Sequence, residues 1–296
     1  SENKNVHMKQ GWVDLNNSSA DRTTSAADGR FSFVPQDDEN FLVMVFHDLG
    51  YAEVTHTQLE TNADIKLQPW GRIEGQVLVG DKPDAGREVS FQPKRPVDGR
   101  SYRAIWSYGY ETNADDQGRF HFDRVLPGPG TISRVIVVAD GRYTMHAPSG
   151  QIPIEVQSNE TTQATIGGHG RQVTGRLVLD RQPSPNGDDG SSDWRFDPTL
   201  TLELFDKQKK TLDPSFARYV GQVEKSGDFT IPDVPPGDYQ IRMEVHAVGS
   251  DGNSSGTIGR TMLVVKIDES DVTPAASQDL GELTIELFDT LDPGEW

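Results

Sequence analysis

The chain has 296 residues, a formal net charge of −18 and no cysteine. This length predicts about two or three domains, and the lack of cysteine excludes disulfides, thiolate nucleophiles and cysteine-ligated metals. Because an acidic surface repels phosphates and anionic lipids, we expect no nucleic-acid partner. No apolar run approaches the ~20 residues that span a bilayer, so we expect no membrane insertion by this chain.

The first part of the chain contains one copy of a glycine-centred phrase. Gly29 opens the stretch GRFSF, in which apolar and polar residues alternate after a turn residue, and this pattern is typical of a β-hairpin. MKQGWVDL at 8–15 and FLVMVF at 41–46 predict further strands. Because only 28 residues precede Gly29, we expect an incomplete module over residues 1–70. It would lean on the next module or be completed by another chain, and we expect the sequence to be a portion of a longer protein.

Two features near the end of this part allow specific expectations. Trp70 lies in LQPWGRIEG, where the first part meets the second. Its large ring either seals the contact between the two modules or caps its own core. His56 and Glu60 are four residues apart, but we predict a strand here, on which the two side chains would not converge.

The phrase recurs twice more, and an upstream anchor recurs with it. Gly118 opens GRFHF and Gly227 opens GDFTI, 109 residues apart; Gly75 in RIEGQVLV and Gly175 in RQVTGRLVL are 100 residues apart. Alternating stretches separated by Gly, Pro, Asn and Asp clusters predict an all-β chain built from repeated modules. The only helical candidate, 213–220, could equally be a turn.

These repeats resemble the carboxypeptidase regulatory-like domain. The matching pieces are the first-strand I/V-x-G-x-V/L-V/L pattern at 73–78 and 173–178, the G-x-F phrase, and the P-P-G-x-Y turn at 235–239. The resemblance implies tandem Greek-key β-sandwiches of the transthyretin-like and Ig-like kind, as found in large bacterial proteins. It implies no peptidase activity, because the zinc ligands of the true carboxypeptidases belong to a neighbouring catalytic domain.

The module boundaries then fall near residues 70 and 170. We predict a partial β-sandwich module over 1–70 and complete modules over 71–170 and 171–296, joined by short linkers into a stiff rod. We expect an extracytoplasmic location: periplasmic, cell-surface or secreted.

Motifs for catalysis are missing from the sequence. There is no metalloprotease histidine motif, no G-x-S-x-G elbow and no phosphate-binding loop, so we predict no catalytic residues. The expected function is a non-catalytic structural or interaction module, a spacer or presenting scaffold within a larger protein. Its partners would be other domains of the same polypeptide or other proteins.

Ligand binding through an aromatic strand face is the alternative. SYRAIWSYGYE spaces four aromatic residues so that the last three would share one face of a strand; the four are Tyr102, Trp106, Tyr108 and Tyr110. If that face is exposed, it is a stacking platform for carbohydrate. If it faces the core, it is packing.

An oxygen-rich loop is a candidate calcium site, although we expect no other cofactor. Calcium takes six to eight oxygen ligands, and PNGDDGSSDW supplies Asn186, Asp188, Asp189 and Asp193. The other interpretation is an acidic, solvated loop. A self-formed Lys–Asn isopeptide bond, as in surface stalk domains of similar fold, is a further alternative. Lys66 and Lys266 disfavour it, because they lie in late strands, where those domains would place the asparagine.

Overall fold

The computed structural model describes residues 4–34, 41–94, 104–139, 144–183, 193–212, 218–249, 254–269 and 277–292. Within these ranges the chain forms 21 strands and one short helix. The predicted all-β class is confirmed.

The strands fall into three regions of the chain. The first region contains β1 (Lys4–Lys9), β2 (Trp12–Val13), β3 (Leu42–His47), β4 (Gly50–Thr55) and α1 (His56–Thr61). The second region contains β5 (Gly71–Val79), β6 (Lys82–Pro83), β7 (Glu88–Pro93), β8 (Ala104–Asn113), β9 (Arg119–Val125), β10 (Gly128–Ala139), β11 (Thr144–Val156) and β12 (Thr161–Gly167). The third region contains β13 (Arg171–Leu179), β14 (Asp193–Phe196), β15 (Thr199–Asp206), β16 (Thr211–Leu212), β17 (Arg218–Val223), β18 (Asp228–Val234), β19 (Gly237–Val248), β20 (Ser254–Ile267) and β21 (Gln278–Asp292).

The second region consists of two sheets that face each other. One sheet has the order β11-β10-β7-β8-β1-β2, and in the other β5 pairs with β12, β6 and β9. Apolar side chains that alternate along these strands meet between the sheets. The core includes Ile73, Phe91, Phe122, Ile132 and Ile166, all fully buried.

The third region closes its sheet. The order β19-β20-β21-β13-β18-β17-β15 returns to β19 because β15 also pairs with β19, which makes a ring of seven strands. β14 and β16 attach outside this ring. Val173, Leu202, Ile231, Ile241 and Ile285 fill the interior. Closure leaves the ring strands without a continuous free edge.

The first region contributes a strand to the second instead of folding as a complete module. β1 runs parallel to β8 from Lys4 beside Ala104 to Lys9 beside Gly109, and Met8 is buried in the second region's core. The β3–β4 hairpin forms a separate two-stranded sheet. The module boundaries at 70 and 170 stay predictions.

The first copy of the repeated phrase does not form the strand that its sequence predicts. Between 15 and 34 the described residues contain no strand. Phe31 and Phe33 are exposed, and their rings contact each other edge to face. In the other two copies, Gly118 and Gly227 open hairpins whose phenylalanines enter a core. Alternation alone cannot make a strand where no sheet is available to pair with it.

The strand predicted at 56–60 is wrong. Thr55 accepts a hydrogen bond from the Gln58 backbone, and the Gln58 side chain accepts one from the Thr55 backbone. This reciprocal capping box starts a helix, and α1 brings His56 Nε2 within 3.7 Å of Glu60 Oε1. No helix in the described part of the chain is long and apolar enough to cross a membrane. Of the helical candidate at 213–220, only 218–220 is described, and these residues begin β17.

Candidate functional site between the second and third regions

Arg134, on β10, is the most buried charged residue in the described part of the chain. Arg134 is 1% exposed and follows a bulge in the β10–β11 ladder. At the 109-residue offset of the repeated phrase, the third region has Met243, which lies in its core. A buried cation at a position that favours an apolar residue requires a negative partner.

That partner comes from the third region. Asp233, at the end of β18, is 2% exposed, and its Oδ2 accepts a hydrogen bond from Arg134 Nη2 over 3.1 Å. Its Oδ1 accepts from the backbone N–H groups of Gly80 at 3.0 Å, Gly168 at 3.1 Å and Gly170 at 3.2 Å. One carboxylate therefore joins the third region, the linker and the second region.

A second carboxylate, that of Asp84, lies beside the buried Arg134 guanidinium. Asp84 Oδ2 lies 3.5 Å from Arg134 Nη1 and 2.9 Å from Arg87 Nε. Arg134 Nη2 also donates to the Leu78 carbonyl oxygen at 2.7 Å. Burial lowers the pKa of the Arg134 guanidinium, and the carboxylates of Asp233 and Asp84 oppose that shift.

An apolar contact continues the interface. Ile136, Val138 and Val220 form a buried cluster with Ala147 packed against it. The buried Ser149 Oγ accepts a hydrogen bond from the Val220 backbone at 2.9 Å. Because the charged groups are shielded from water, this interface can fix the orientation of two regions but cannot reach a substrate.

The predicted aromatic face turns inward where the structure describes it. Tyr110 is 2% exposed, and its ring packs between Phe91 at 5.6 Å and Phe122 at 6.2 Å. Its hydroxyl accepts from the Leu126 N–H at 3.3 Å, and burial raises its pKa. Tyr110 is thus a packing residue and is not available to a ligand. The described part of the structure does not include Tyr102 or the side chains of Trp106 and Tyr108.

The calcium prediction falls mostly on residues that the structure does not describe, namely Asn186, Asp188 and Asp189. Asp193 starts β14, is exposed, and its Oδ1 accepts from the Trp194 backbone at 2.9 Å. Among the described side chains, no three His, Asp or Glu groups are arranged to hold a metal ion. Calcium binding by this loop stays a prediction.

Trp70 seals the contact between the first and second regions. It belongs to the buried core of the second region, its ring stacks on Tyr51 at 5.1 Å, and its Nε1–H donates to the His47 carbonyl at 2.8 Å. Arg134 and Asp233, in contrast, were not among the residues predicted from the sequence. Each is the one charged residue in a stretch that is otherwise mostly apolar, ISRVIVV and FTIPDV. An isolated charge in such a stretch is the sequence signal that could have identified them.

No protein-family model and no curated protein sequence matches the chain. Among solved structures, the minor pilin GBS52 of Streptococcus agalactiae is 14% identical over 76% of this chain and 100% of that one, with a TM-score of 0.28. A candidate carbohydrate-binding protein of Pseudomonas aeruginosa is 16% identical over 35% of this chain and 92% of that one, with a TM-score of 0.23. The shaft pilin SpaA of Lactobacillus rhamnosus is 9% identical over 74% and 98%, with a TM-score of 0.22. Likeness at this level assigns no function to the chain.

Proposed function

We propose that this chain is a non-catalytic structural module, a stiff spacer or presenting scaffold within a larger bacterial, extracytoplasmic protein. In this proposal its repeats are tandem transthyretin-like Greek-key sandwiches related to carboxypeptidase regulatory-like domains, with boundaries near 70 and 170. The observation that carries the proposal is the buried contact of Arg134 with Asp233.

The physical argument concerns motion between domains. Domains joined by a short linker move relative to each other unless their interface is extensive and well packed. Here the Asp233 carboxylate of the third region accepts hydrogen bonds from Gly80 and Arg134 of the second region. It also accepts hydrogen bonds from Gly168 and Gly170 of the linker. Any hinge motion would break these bonds and leave the buried groups without partners. An unpaired buried charge is costly, so the hinged states are rarely populated.

Distance measurements between spin labels test this proposal directly. The chain has no cysteine, so labels can be placed at Gln163→Cys and Glu282→Cys, exposed sites in the second and third regions. Double electron–electron resonance should give one narrow distance distribution, and Asp233→Ala should broaden it. Glu224→Gln, an exposed change in the third region, should leave it narrow. A broad distribution in the protein without the Asp233 change would refute the rigid-spacer proposal.

Carbohydrate binding is the second candidate function, and one observation favours it. Trp12 is 46% exposed, and a half-exposed ring of this size leaves an apolar surface on which a sugar can stack. The other proposed location is the strand that carries Tyr102, Trp106 and Tyr108. Sedimentation with insoluble chitin and cellulose tests the function: the protein should be depleted from the supernatant, and full recovery there with both polysaccharides would contradict it.

A further inference from the structure

Trp12 is held by a tight turn that lies against the second region. β1 and β2 are joined by Gln10 and Gly11, with φ of 52° and 75°, the two positive values that a two-residue type I′ hairpin turn requires. A β-carbon at Gly11 would overlap the backbone and side chain of Arg124 on β9. Only glycine lets the turn approach this closely, and Trp12 is thereby brought over Arg124.

The underside of the indole ring is covered by a cation. Arg124 Cζ lies 3.8 Å from the centroid of the Trp12 ring, and Arg124 Nη2 donates to Asp48 Oδ1 at 2.9 Å. Asp48 belongs to the turn between β3 and β4, which Trp70 holds through the His47 carbonyl. The ring therefore sits on a guanidinium that is itself fixed, and a ligand would meet a preorganised surface.

Two exposed charged residues belong to the elements that hold the ring. Lys9 pairs with Trp12 in the β1–β2 register and is exposed, so cross-strand geometry places the two side chains on one face. Asp48 is also largely exposed. The half-exposed ring thus has a donor, Lys9, on its own sheet face, and an acceptor, Asp48, bound to the arginine beneath it.

We propose that Trp12 is a stacking site for a pyranose ring of a glycan, with Lys9 and Asp48 binding its hydroxyl groups. A pyranose presents an apolar C–H face and a rim of hydroxyls, which matches this surface in both respects. The net charge of −18 makes a nucleic-acid base a poor alternative for the same ring. This inference rests on the second candidate function, carbohydrate binding, and assigns it to the β1–β2 turn and not to the strand that carries Trp106.

Titration with chitohexaose and cellohexaose, followed by the indole N–H signals of the five tryptophans, tests the site. Trp12→Phe identifies the Trp12 signal, which should shift most on addition of at least one of the two sugars. Trp12→Ala should weaken that binding at least about tenfold. Phe31→Ala, which removes another exposed aromatic residue of the first region, should leave the affinity unchanged. Circular dichroism should show that both alanine variants remain folded.

The outcomes separate the site from the function. Sugar binding that survives Trp12→Ala and moves another tryptophan signal overturns the Trp12 site but leaves carbohydrate binding in place. If neither sugar moves any tryptophan signal at millimolar concentration, and chitin and cellulose also fail to retain the protein, both the site and the function are overturned.

Discussion

The second and third regions are built around the same phrase but close their sheets differently. In both, a phenylalanine ring lies directly on a strand glycine, Phe120 on Gly75 and Phe229 on Gly175, where a β-carbon would overlap it. In both, the first strand pairs in parallel with the last, β5 with β12 and β13 with β21. The shared sequence therefore produces a shared local packing.

The difference lies at the strand edges. In the third region, β17 pairs with β18 and β20 with β21, and these two pairings join the sheets into a ring. In the second region, β8 pairs with β7 and with β1 of the first region, while β9 pairs with β5. In the second region, β1 from a distant stretch of the chain covers the edge of β8. In the third region, closure of the ring protects the strand edges.

The largest expected effect comes from weakening the added strand. Met8 is buried in the second region's core, so Met8→Ala should lower the free energy of unfolding by about 2–5 kcal/mol, through lost apolar contact and the cavity left behind. Chemical denaturation measures this loss. Hydrogen exchange should speed up in β8 and stay slow in β17.

A neighbouring substitution provides the control for this prediction. Leu15 is exposed, and Leu15→Ala should leave the denaturation midpoint nearly unchanged. Equal acceleration of exchange in β8 and β17 on Met8→Ala would show that the two regions do not differ in this way.

The three phrase glycines should respond unequally to alanine. Gly118 and Gly227 have φ of 71° and 87°, and an added β-carbon would overlap the carbonyl oxygens of Val77 and Leu177. Each alanine variant should lose more than about 2 kcal/mol, since a left-handed backbone alone costs about 1–2 kcal/mol. Gly29 has φ of 82°, but a β-carbon there would meet nothing within 4 Å, so Gly29→Ala should lose only the backbone cost of about 1–2 kcal/mol. Thermal unfolding measures the stability of all three variants. Equal losses of stability would contradict the conclusion that the three glycines are packed differently.

The smallest expected effect is on the pH dependence of stability, and it comes from one carboxyl group in the third region, Asp197. Burial alone would raise the pKa of Asp197, but the His246 ring, whose Nε2 lies 3.8 Å from Asp197 Oδ2, and the hydrogen bonds from Thr199 outweigh burial. Together they hold the pKa below its ordinary 3.8. A carboxyl group with a lowered pKa in the folded state stabilises the fold above its unfolded pKa and loses that contribution as the pH falls through the folded value.

Asp197→Asn should therefore flatten the decline in stability below about pH 4. Because Asp197 is partly exposed, solvent screening limits the contribution at neutral pH to about 1 kcal/mol or less. Denaturation midpoints measured across pH 2–7 for both proteins check this, and parallel curves would count against it.

Local sequence patterns determined the elements of this protein. Alternation between turn residues predicted the strands that carry Gly75, Gly118, Gly175 and Gly227, because period-two apolar patterning and tight turns depend on neighbouring residues only. A local signal was also available for the helix that was missed. T-x-x-Q at 55–58 is a capping box. It favours a helix over the strand that we predicted for the residues that follow.

The tertiary structure decided what these elements do together. Whether GRFSF forms a strand depended on a sheet being available to pair with it, and β1 found its partner in β8, about a hundred residues later. The candidate sites have the same origin: Arg134 meets Asp233 across 99 residues, and Trp12 meets Arg124 only because Gly11 lies against β9. The strength of such pairs depends on burial and distance, which no window of the sequence contains.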